Sequence, residues 1–298
     1  MSPSRRQPMV SVIVPTHNRA PVLSETLPQL LDQSYPEYEL IVVADGCTDE
    51  TPMILDDFAR AAAAPMQVVT GTYGAPGLAR NAGVECASGS WLVFTDDDCM
   101  VTPNWLTDLM VRATQLRGKA ALCGGFQPFL METPAERYQH YRMTMLFGGQ
   151  RKEVRAAPMM NFAVSRSDFD AAGGFPAERL PALEDWELCR RLREQRVAIT
   201  YDPDVWVTHR YQREWEPVIR RLDDTAALAV GLCRSRAERG GLILRSVLKA
   251  WAAPLWTLRV FPLDLYPMAV RLEFRMLGRR LSAWWRSGSP RGAQEDAV

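Results

Sequence analysis

Over its first hundred residues the chain alternates apolar runs with helically spaced segments. Residues 9–15, MVSVIVP, are a β-branched run closed by proline, the pattern of a strand buried on both faces. Between Pro21 and Gln33, Val22, Leu23, Leu27, Leu30 and Leu31 fall near helical spacing. YELIVVADG (38–46) predicts a second buried strand ending in the turn signal Asp45-Gly46. Thr48 or Asp49 then caps a helix with Pro52 in its first turn, running to about Ala64. MQVVTG (66–71) predicts a third strand, a helix runs from near Pro76 to the Ser88-Gly89 break, and WLVFT (91–95) predicts a fourth strand. This alternation predicts βαβ units: an α/β fold with a mostly parallel central sheet flanked by helices. Ligands of such sheets bind beyond the carboxyl ends of the strands. Pro15-Thr16, Asp45-Gly46 and Asp96–Asp98 all lie at those ends and should converge.

The second half is less regular. AALCGGF (120–126) predicts a strand and Pro134 to Phe147 a helix, while GGQRKEVRAAP (148–158) reads as a polar, mobile loop. MMNFAVS (159–165) predicts a strand, followed by a short helix from Arg166 that AAGGFP ends. Glu184 to Gln195 is helical, and strands are expected near VAITY and DVWVTHR. Beyond about Gln212 the pattern turns to helical segments, with breaks expected at Gly240-Gly241, Pro254, Pro262 and Pro267.

Composition is that of an ordinary globular chain: 298 residues, 47% hydrophobic, 23% charged, formally neutral. Neutrality hides an asymmetry. Residues 234–298 carry 12 basic against 5 acidic side chains, a balance of +7, so residues 1–233 carry −7. The six cysteines form no CxxC pair, which suggests neither a zinc site nor a disulfide framework and predicts a reducing, cytoplasmic compartment. MSPSRRQPMV lacks the long apolar core of a signal peptide. The longest charge-free apolar stretch of the tail, AWAAPLWTL, falls far below the ~20 residues of a spanning helix.

The densest candidate chemistry is in WLVFTDDDC (91–99). Side chains alternate along an extended chain, so Asp96 and Asp98 point to one side. Two carboxylates beyond a sheet edge offer oxygen ligands to Mg²⁺ or Mn²⁺; alternatively they form a solvated acidic turn. Without a cation, three adjacent carboxylates should be loosely ordered.

VSVIVPTHNR (10–19), LIVVADGCTDET (40–51), GLARNAGVECASGSWLVFTDDDC (77–99), NFAVSRSDFDAAGGF (161–175) and EDWELCRRL (184–192) occur in this order. Together they resemble family 2 glycosyltransferases, inverting enzymes of the GT-A fold. The resemblance covers roughly residues 9–212, with a nucleotide-sugar half at about 9–98 and an acceptor half at about 99–212. Residues 213–298 would form a helical, basic extension. The resemblance implies transfer of a sugar from a nucleoside-diphosphate donor to an acceptor hydroxyl. It assigns Pro15, Thr16, Arg19, Asp45, Arg80, Asp96 and Asp97 to the donor side, Asp96 and Asp98 being the ends of a DxD motif, Asp98 toward the metal and Asp97 turned away. Asp45 suits a uracil or thymine imide N–H, although guanine also offers donors. A UDP-sugar is therefore favoured, with GDP- and dTDP-sugars open.

Transfer needs a base, because an acceptor hydroxyl keeps its proton at neutral pH. Glu184-Asp185 opens a helix, where acidic residues also simply favour the dipole. By resemblance this is the family's ED motif and Asp185 the base. Glu184, Trp186 and Asn161 fall on the acceptor side; Trp186 can stack on a sugar or pack in the core, and core packing is expected. His209 ends a strand and is implied as a further metal ligand, and the Gly173-Gly174-Phe175 turn matches the acceptor region. No QxxRW motif of processive synthases occurs, since QREWEP (212–217) is only a loose echo, so single transfer is expected.

Two other readings exist. A nucleotidyltransferase would need a glycine-rich basic phosphate loop after the first strand, and VPTHNRAP supplies none. A silent nucleotide-sugar-binding scaffold would not need the Asp96/Asp98/Asp185 set. Nucleic acid is excluded by an acidic cleft and the lack of a recognised module. In the tail, Val270, Phe274, Leu277, Leu281 and Trp284 form one stripe, with Arg271, Arg275, Arg279 and Arg286 on another side. Such a helix suits either an anionic membrane surface, giving a peripheral protein and a lipid-linked acceptor, or packing on the catalytic domain.

Overall fold

The computed structural model describes residues 9–288; the final ten residues of the basic tail lie outside them. Elements run β1 (Val10–Thr16), α1 (Ala20–Leu31), β2 (Tyr38–Asp45), α2 (Thr51–Ala61), β3 (Met66–Gly71), α3 (Pro76–Cys86), β4 (Trp91–Thr95), β5 (Cys99–Met100), α4 (Trp105–Thr114) and β6 (Ala120–Pro128). They continue with α5 (Pro134–Phe147), β7 (Lys152–Glu153), β8 (Asn161–Ser165), α6 (Arg166–Ala172), α7 (Glu184–Glu194), β9 (Ala198–His209), α8 (Trp215–Gly231), α9 (Arg236–Val260) and α10 (Tyr266–Gly288).

The chain divides into two compact units: residues 1–129 with 149–210, and residues 130–148 with 211–298. The first holds one nine-stranded mixed sheet in the order β3-β2-β1-β4-β8-β6-β9-β5, with β7 paired to β9. The first four strands are mutually parallel, as the βαβ pattern requires. β8 then enters antiparallel between β4 and β6. The apolar runs of β1, β2 and β4 are buried because helices cover both faces. α3 lies so close that a Cβ on Gly83 would approach Ile13 and Val43 to 2.8 and 2.9 Å.

Several expectations change here. The polar segment 148–158 is no plain loop: Lys152 and Glu153 pair with Thr200 and Tyr201. VAITY and DVWVTHR are one strand, β9, whose register slips at Gly124/Gly125 to accommodate residues 203–205. Helix α4 carried no earlier expectation. α9 runs unbroken through Gly240-Gly241 and Pro254; proline removes one N–H from the ladder, and packing of the buried face offsets that loss.

The second unit is helical. α5, placed by the sequence within residues 9–212, packs here: Tyr138 stacks on Phe261 at 5.3 Å and meets Trp215 at 5.5 Å. Thr133 and Glu136 form a capping box at its start. α9 and α10 are antiparallel, as the contacts Arg239–Ser287, Arg280–Ser246 and Lys249–Glu273 require. The expected tail stripe is not the packed one. Ala269, Leu272 and Met276 enter the core, whereas Phe274, Leu281 and Trp284 remain exposed. Arg275 and Arg279 are engaged by Asp223 of α8.

Candidate active site

The carboxyl ends of β1, β2 and β4 converge. Thr16 Oγ1 donates to Asp97 Oδ2 at 2.7 Å, tying β1 to the end of β4. His17 Nδ1 lies 2.5 Å from the Asp45 carbonyl, tying β1 to β2. Asn18, held in the left-handed region at φ 52°, accepts from the backbone of Thr48 at 2.7 Å and of Asp49 at 3.3 Å. Pro15 sits inside β1, where it leads the chain into this junction.

The three aspartates part company. Asp96 accepts from Arg80 Nη2 at 2.7 Å. Asp97 is buried, bonded to Thr16, and its backbone carbonyl accepts from Thr26 at 3.0 Å. Burial, aided by the neighbouring Asp98 charge, pushes the Asp97 carboxyl up to about 7. Asp98 lies 3.3 Å from His209 Nε2 and 3.8 Å from Arg19 Nη2. Arg80, the Thr16 hydroxyl and Arg19 each meet one of the three carboxylates.

Arg80 is the centre of the arrangement. It projects from α3, is almost fully buried, and donates from Nη1 to Glu184 Oε1 at 3.0 Å while holding Asp96. Burial works against its charge, but Asp96 and Glu184 outweigh burial and hold the guanidinium above its ordinary value. The Phe175 ring lies 5.7 Å away as a cation–π partner. Asn81, one residue along α3, bonds the Phe175 backbone in both directions at 3.1 Å, with Gly173 and Gly174 at φ 77° and 65° making the turn. Sequence reasoning missed Asn81 and Thr26 as site supports, since only long-range contacts reveal them; Phe175 was placed on the acceptor side but not against Arg80.

Glu184 and Asp185 open α7 behind Leu183, itself left-handed at φ 67°, a conformation costly for a branched side chain. Glu184 is turned inward onto Arg80. Asp185 is half-buried and accepts from the Trp186 backbone at 2.8 Å. Trp186 corrects the expectation of core packing: it is 57% exposed. Glu184, Leu188 and Leu192 share the inward face at four-residue spacing, which leaves position 186 on the opposite side.

Asn161 is also corrected. It is fully buried and its amide is consumed: Oδ1 accepts from Trp105 Nε1 at 3.0 Å, while Nδ2 donates to the carbonyls of Gly125 and Val205 at 3.0 and 2.9 Å. It clamps the β9 bulge and meets no acceptor. Gly124 is the counterpart, since a Cβ there would lie 2.0 Å from that amide. Asp45 is engaged as well, accepting from the backbone of Tyr73 at 2.6 Å and of Gly74 at 2.9 Å, which fixes the loop leading into α3. A carboxylate with four acceptor positions keeps room for a base.

A divalent metal is tested against these residues. Asp98, Cys99 and His209 bring one ligand atom each within 4.8 Å of one another; Cys99 and His209 are paired across β5 and β9. Burial, then the Asp98 charge, holds the Cys99 thiol well above its ordinary value and therefore protonated. A soft thiolate suits Mg²⁺ and Mn²⁺ poorly, so the fitting donors are one carboxylate oxygen and one imidazole nitrogen, completed by phosphate and water.

Comparison with solved structures gives the fold. A mannosyltransferase, PcManGT, from Pyrobaculum calidifontis, in complex with GDP-Man and Mn²⁺, superposes with a TM-score of 0.64 at 19% identity, covering 95% of this chain and 87% of that one. S. aureus TarS 1-349 in complex with UDP-GlcNAc gives 0.56 at 18% identity, covering 92% and 81%. The fold is GT-A. In sequence, the glycosyltransferase AglE of Haloferax volcanii is 30% identical over 209 residues, 68% of this chain and 67% of that protein. The uncharacterized glycosyltransferase EpsJ of Bacillus subtilis is 32% identical over 120 residues, 40% of this chain and only 35% of its own length. The family model described as glycosyl transferase family 2 matches residues 11–184, more than half of the chain. The chain belongs to glycosyl transferase family 2.

Proposed function

We propose that the protein transfers a single sugar, with inversion at the anomeric carbon, from a nucleoside-diphosphate donor to an acceptor hydroxyl. The observation that carries this reading is the Arg80 bridge. Asp96 and Glu184 lie 88 positions apart in sequence, yet one guanidinium holds both within 3.0 Å. That contact supports a reading in which the donor motif and the base motif work side by side. That is what a displacement between a donor and an attacking hydroxyl needs.

In this mechanism Thr16, Arg19 and Asp45 line the nucleoside pocket and Asp96 faces the ribose. Asp185 takes the acceptor proton as the hydroxyl oxygen bonds the anomeric carbon. The bond to the departing diphosphate breaks on the opposite face, its electron pair going to the phosphate oxygen. Arg19 stands beside Asp98, where negative charge accumulates on departure, and stabilises it more than the ground state. Asp98 and His209 would hold a Mg²⁺ or Mn²⁺ ion, which when bound supplies Lewis-acid stabilisation of the diphosphate. Exposed Trp186, next to Asp185, offers a stacking face to the acceptor. A UDP-sugar is the favoured donor, with GDP- and dTDP-sugars as alternatives; PcManGT and TarS were solved with GDP-Man and UDP-GlcNAc respectively.

A thermal-shift panel of nucleotide sugars, with and without Mn²⁺, tests donor binding, since a ligand raises the melting point according to its concentration over Kd. Asp185→Asn should keep the donor-induced shift and lose turnover. A panel in which no nucleotide sugar moves the melting point overturns the reading, and so does an Asp185→Asn variant with unchanged turnover.

A further inference from the structure

Helix α9 has its large apolar side chains on the outside. Its inward positions carry Ser246, Ala250, Ala253 and Thr257, all buried. Leu244, Leu248, Trp251, Leu255 and Leu258 face outward at 50–75% exposure. Their alternating four- and three-residue spacing confines them to a stripe about 80° wide. The small inward residues allow close packing, as where Arg280 Nη1 meets Ser246 Oγ at 2.8 Å. Nothing in that packing requires an apolar outer face. Single exposed leucines are ordinary, but a continuous ridge of five large side chains marks an interaction surface.

The charge beside the ridge has one sign. Arg245 and Arg259 lie on α9, and Arg271 and Arg286 are exposed on α10; none of the four forms an ion pair with another described residue. The carboxylates of the two helices are Glu238, which accepts from the Arg234 backbone at 2.7 Å just before α9, and Glu273, buried between Arg142 and Lys249. Leucine and tryptophan enter the acyl boundary of a bilayer while neighbouring guanidinium groups meet phosphates, so this surface is complementary to anionic lipid. A second copy fits less well, because a helix seam of this spacing is normally flanked by charges of both signs. Here arginines would face arginines. No described helix is long and apolar enough to cross a membrane, and Arg245, Lys249 and Arg259 punctuate α9 along its length.

We propose that α9 is a membrane-facing element, lying in the plane of a bilayer rich in anionic phospholipid with the Leu244–Leu258 stripe inward. The test uses the full chain and vesicles of phosphatidylglycerol or phosphatidylcholine, with no nucleotide sugar present, so its outcome does not depend on the transferase reading. The protein should sediment with phosphatidylglycerol and be released by salt. Leu248→Ser with Trp251→Ser and Leu255→Ser should lower the partition roughly a hundredfold, with the circular dichroism spectrum unchanged. Arg245→Ser and Arg259→Ser should each lower it about fivefold on anionic vesicles. Wild-type protein left in the supernatant with phosphatidylglycerol, or a triple variant that partitions like wild type, overturns the proposal. A wild-type dimer in light scattering that the triple variant dissolves to monomer also overturns it, in favour of a second copy.

Discussion

Replacing Arg80 by methionine removes a charge on which two carboxylates depend. The guanidinium meets Asp96 at 2.7 Å and Glu184 at 3.0 Å from an almost fully buried position. At an effective dielectric of about 20, each contact is worth about 5 kcal/mol before desolvation is counted. Most of that is consumed in stripping water from the ions, so an apolar replacement of the whole cluster would be close to neutral. Removing one partner is different. Glu184 is left charged and buried at the first turn of α7, and the expected loss for a broken buried pair is about 3–5 kcal/mol. For a unit of this size that lowers the melting point by about 10 °C. The assay is thermal or urea unfolding of Arg80→Met, Glu184→Gln, and the pair combined. Arg80→Met alone should show the full loss, and adding Glu184→Gln should recover a large part of it. A single variant within 1 kcal/mol of wild type, or a pair that is simply additive, would refute the account of Arg80 as a bridge.

Other outcomes follow from the same geometry. His209→Ala and Asp98→Asn should each weaken Mn²⁺ binding about 10–100-fold, read by calorimetry on the resting protein; an unchanged titration of His209→Ala removes it from the site. Trp186→Ala should raise the acceptor KM several-fold and move the melting point little, since the side chain is 57% exposed; a large drop in stability would contradict its exposure. Asp223 is held down at about 2, first by its bonds to Arg275 and then by Arg279, against the effect of burial. Its folded value lies below the ordinary carboxylate value of about 3.9, so its contribution is complete above that value and is lost as pH falls toward about 2. Both arginines are half exposed, so screening leaves about 1 kcal/mol. Asp223→Asn should therefore flatten the acid limb of the helical unit's unfolding between about pH 4 and 2.

The donor half was readable because its strands are buried on both faces and its helices carry a proline in their first turn, although none has the side-chain cap expected at Thr48 or Asp49. β1 to β4 follow the apolar runs almost residue for residue, and their carboxyl ends meet as the βαβ rule requires. What stayed hidden was decided over long range. Asn161 stands in a motif that fits an acceptor site, but the bulge of β9 and the Trp105 indole claim its amide, and neither is visible from NFAVS. Trp186 looked apolar enough for the core; only the inward phase of Glu184 and Leu188 shows that it points outward. In α10, the stripe drawn from Val270 to Trp284 was a real helical face, yet Ala269, Leu272 and Met276 pack instead, because the neighbouring helices approach over small side chains.

The three aspartates show how one local sequence divides into three electrostatic situations. Asp96 is paired with a buried arginine at 2.7 Å. Asp97 is bonded to a hydroxyl, and burial and the Asp98 charge outweigh the opposing effect of Arg19, so its carboxyl is raised to about 7. Asp98 faces an imidazole and a more distant arginine. Each end of the triplet thus meets a basic side chain within 3.8 Å, while burial raises the carboxyl in its middle, which limits repulsion among adjacent carboxylates. The triplet is a turn and not an extended run, since the Cys99 N–H donates to the Asp96 carbonyl at 3.2 Å, so the alternation expected from the sequence does not set the directions of these side chains. The middle residue fastens β4 to β1, so that the two ends are presented from a fixed turn. A solvated acidic turn would have needed neither the Thr16 bond nor the Arg80 bridge; both favour the proposed reading, in which a polyanionic donor and a cation would be received in a set geometry.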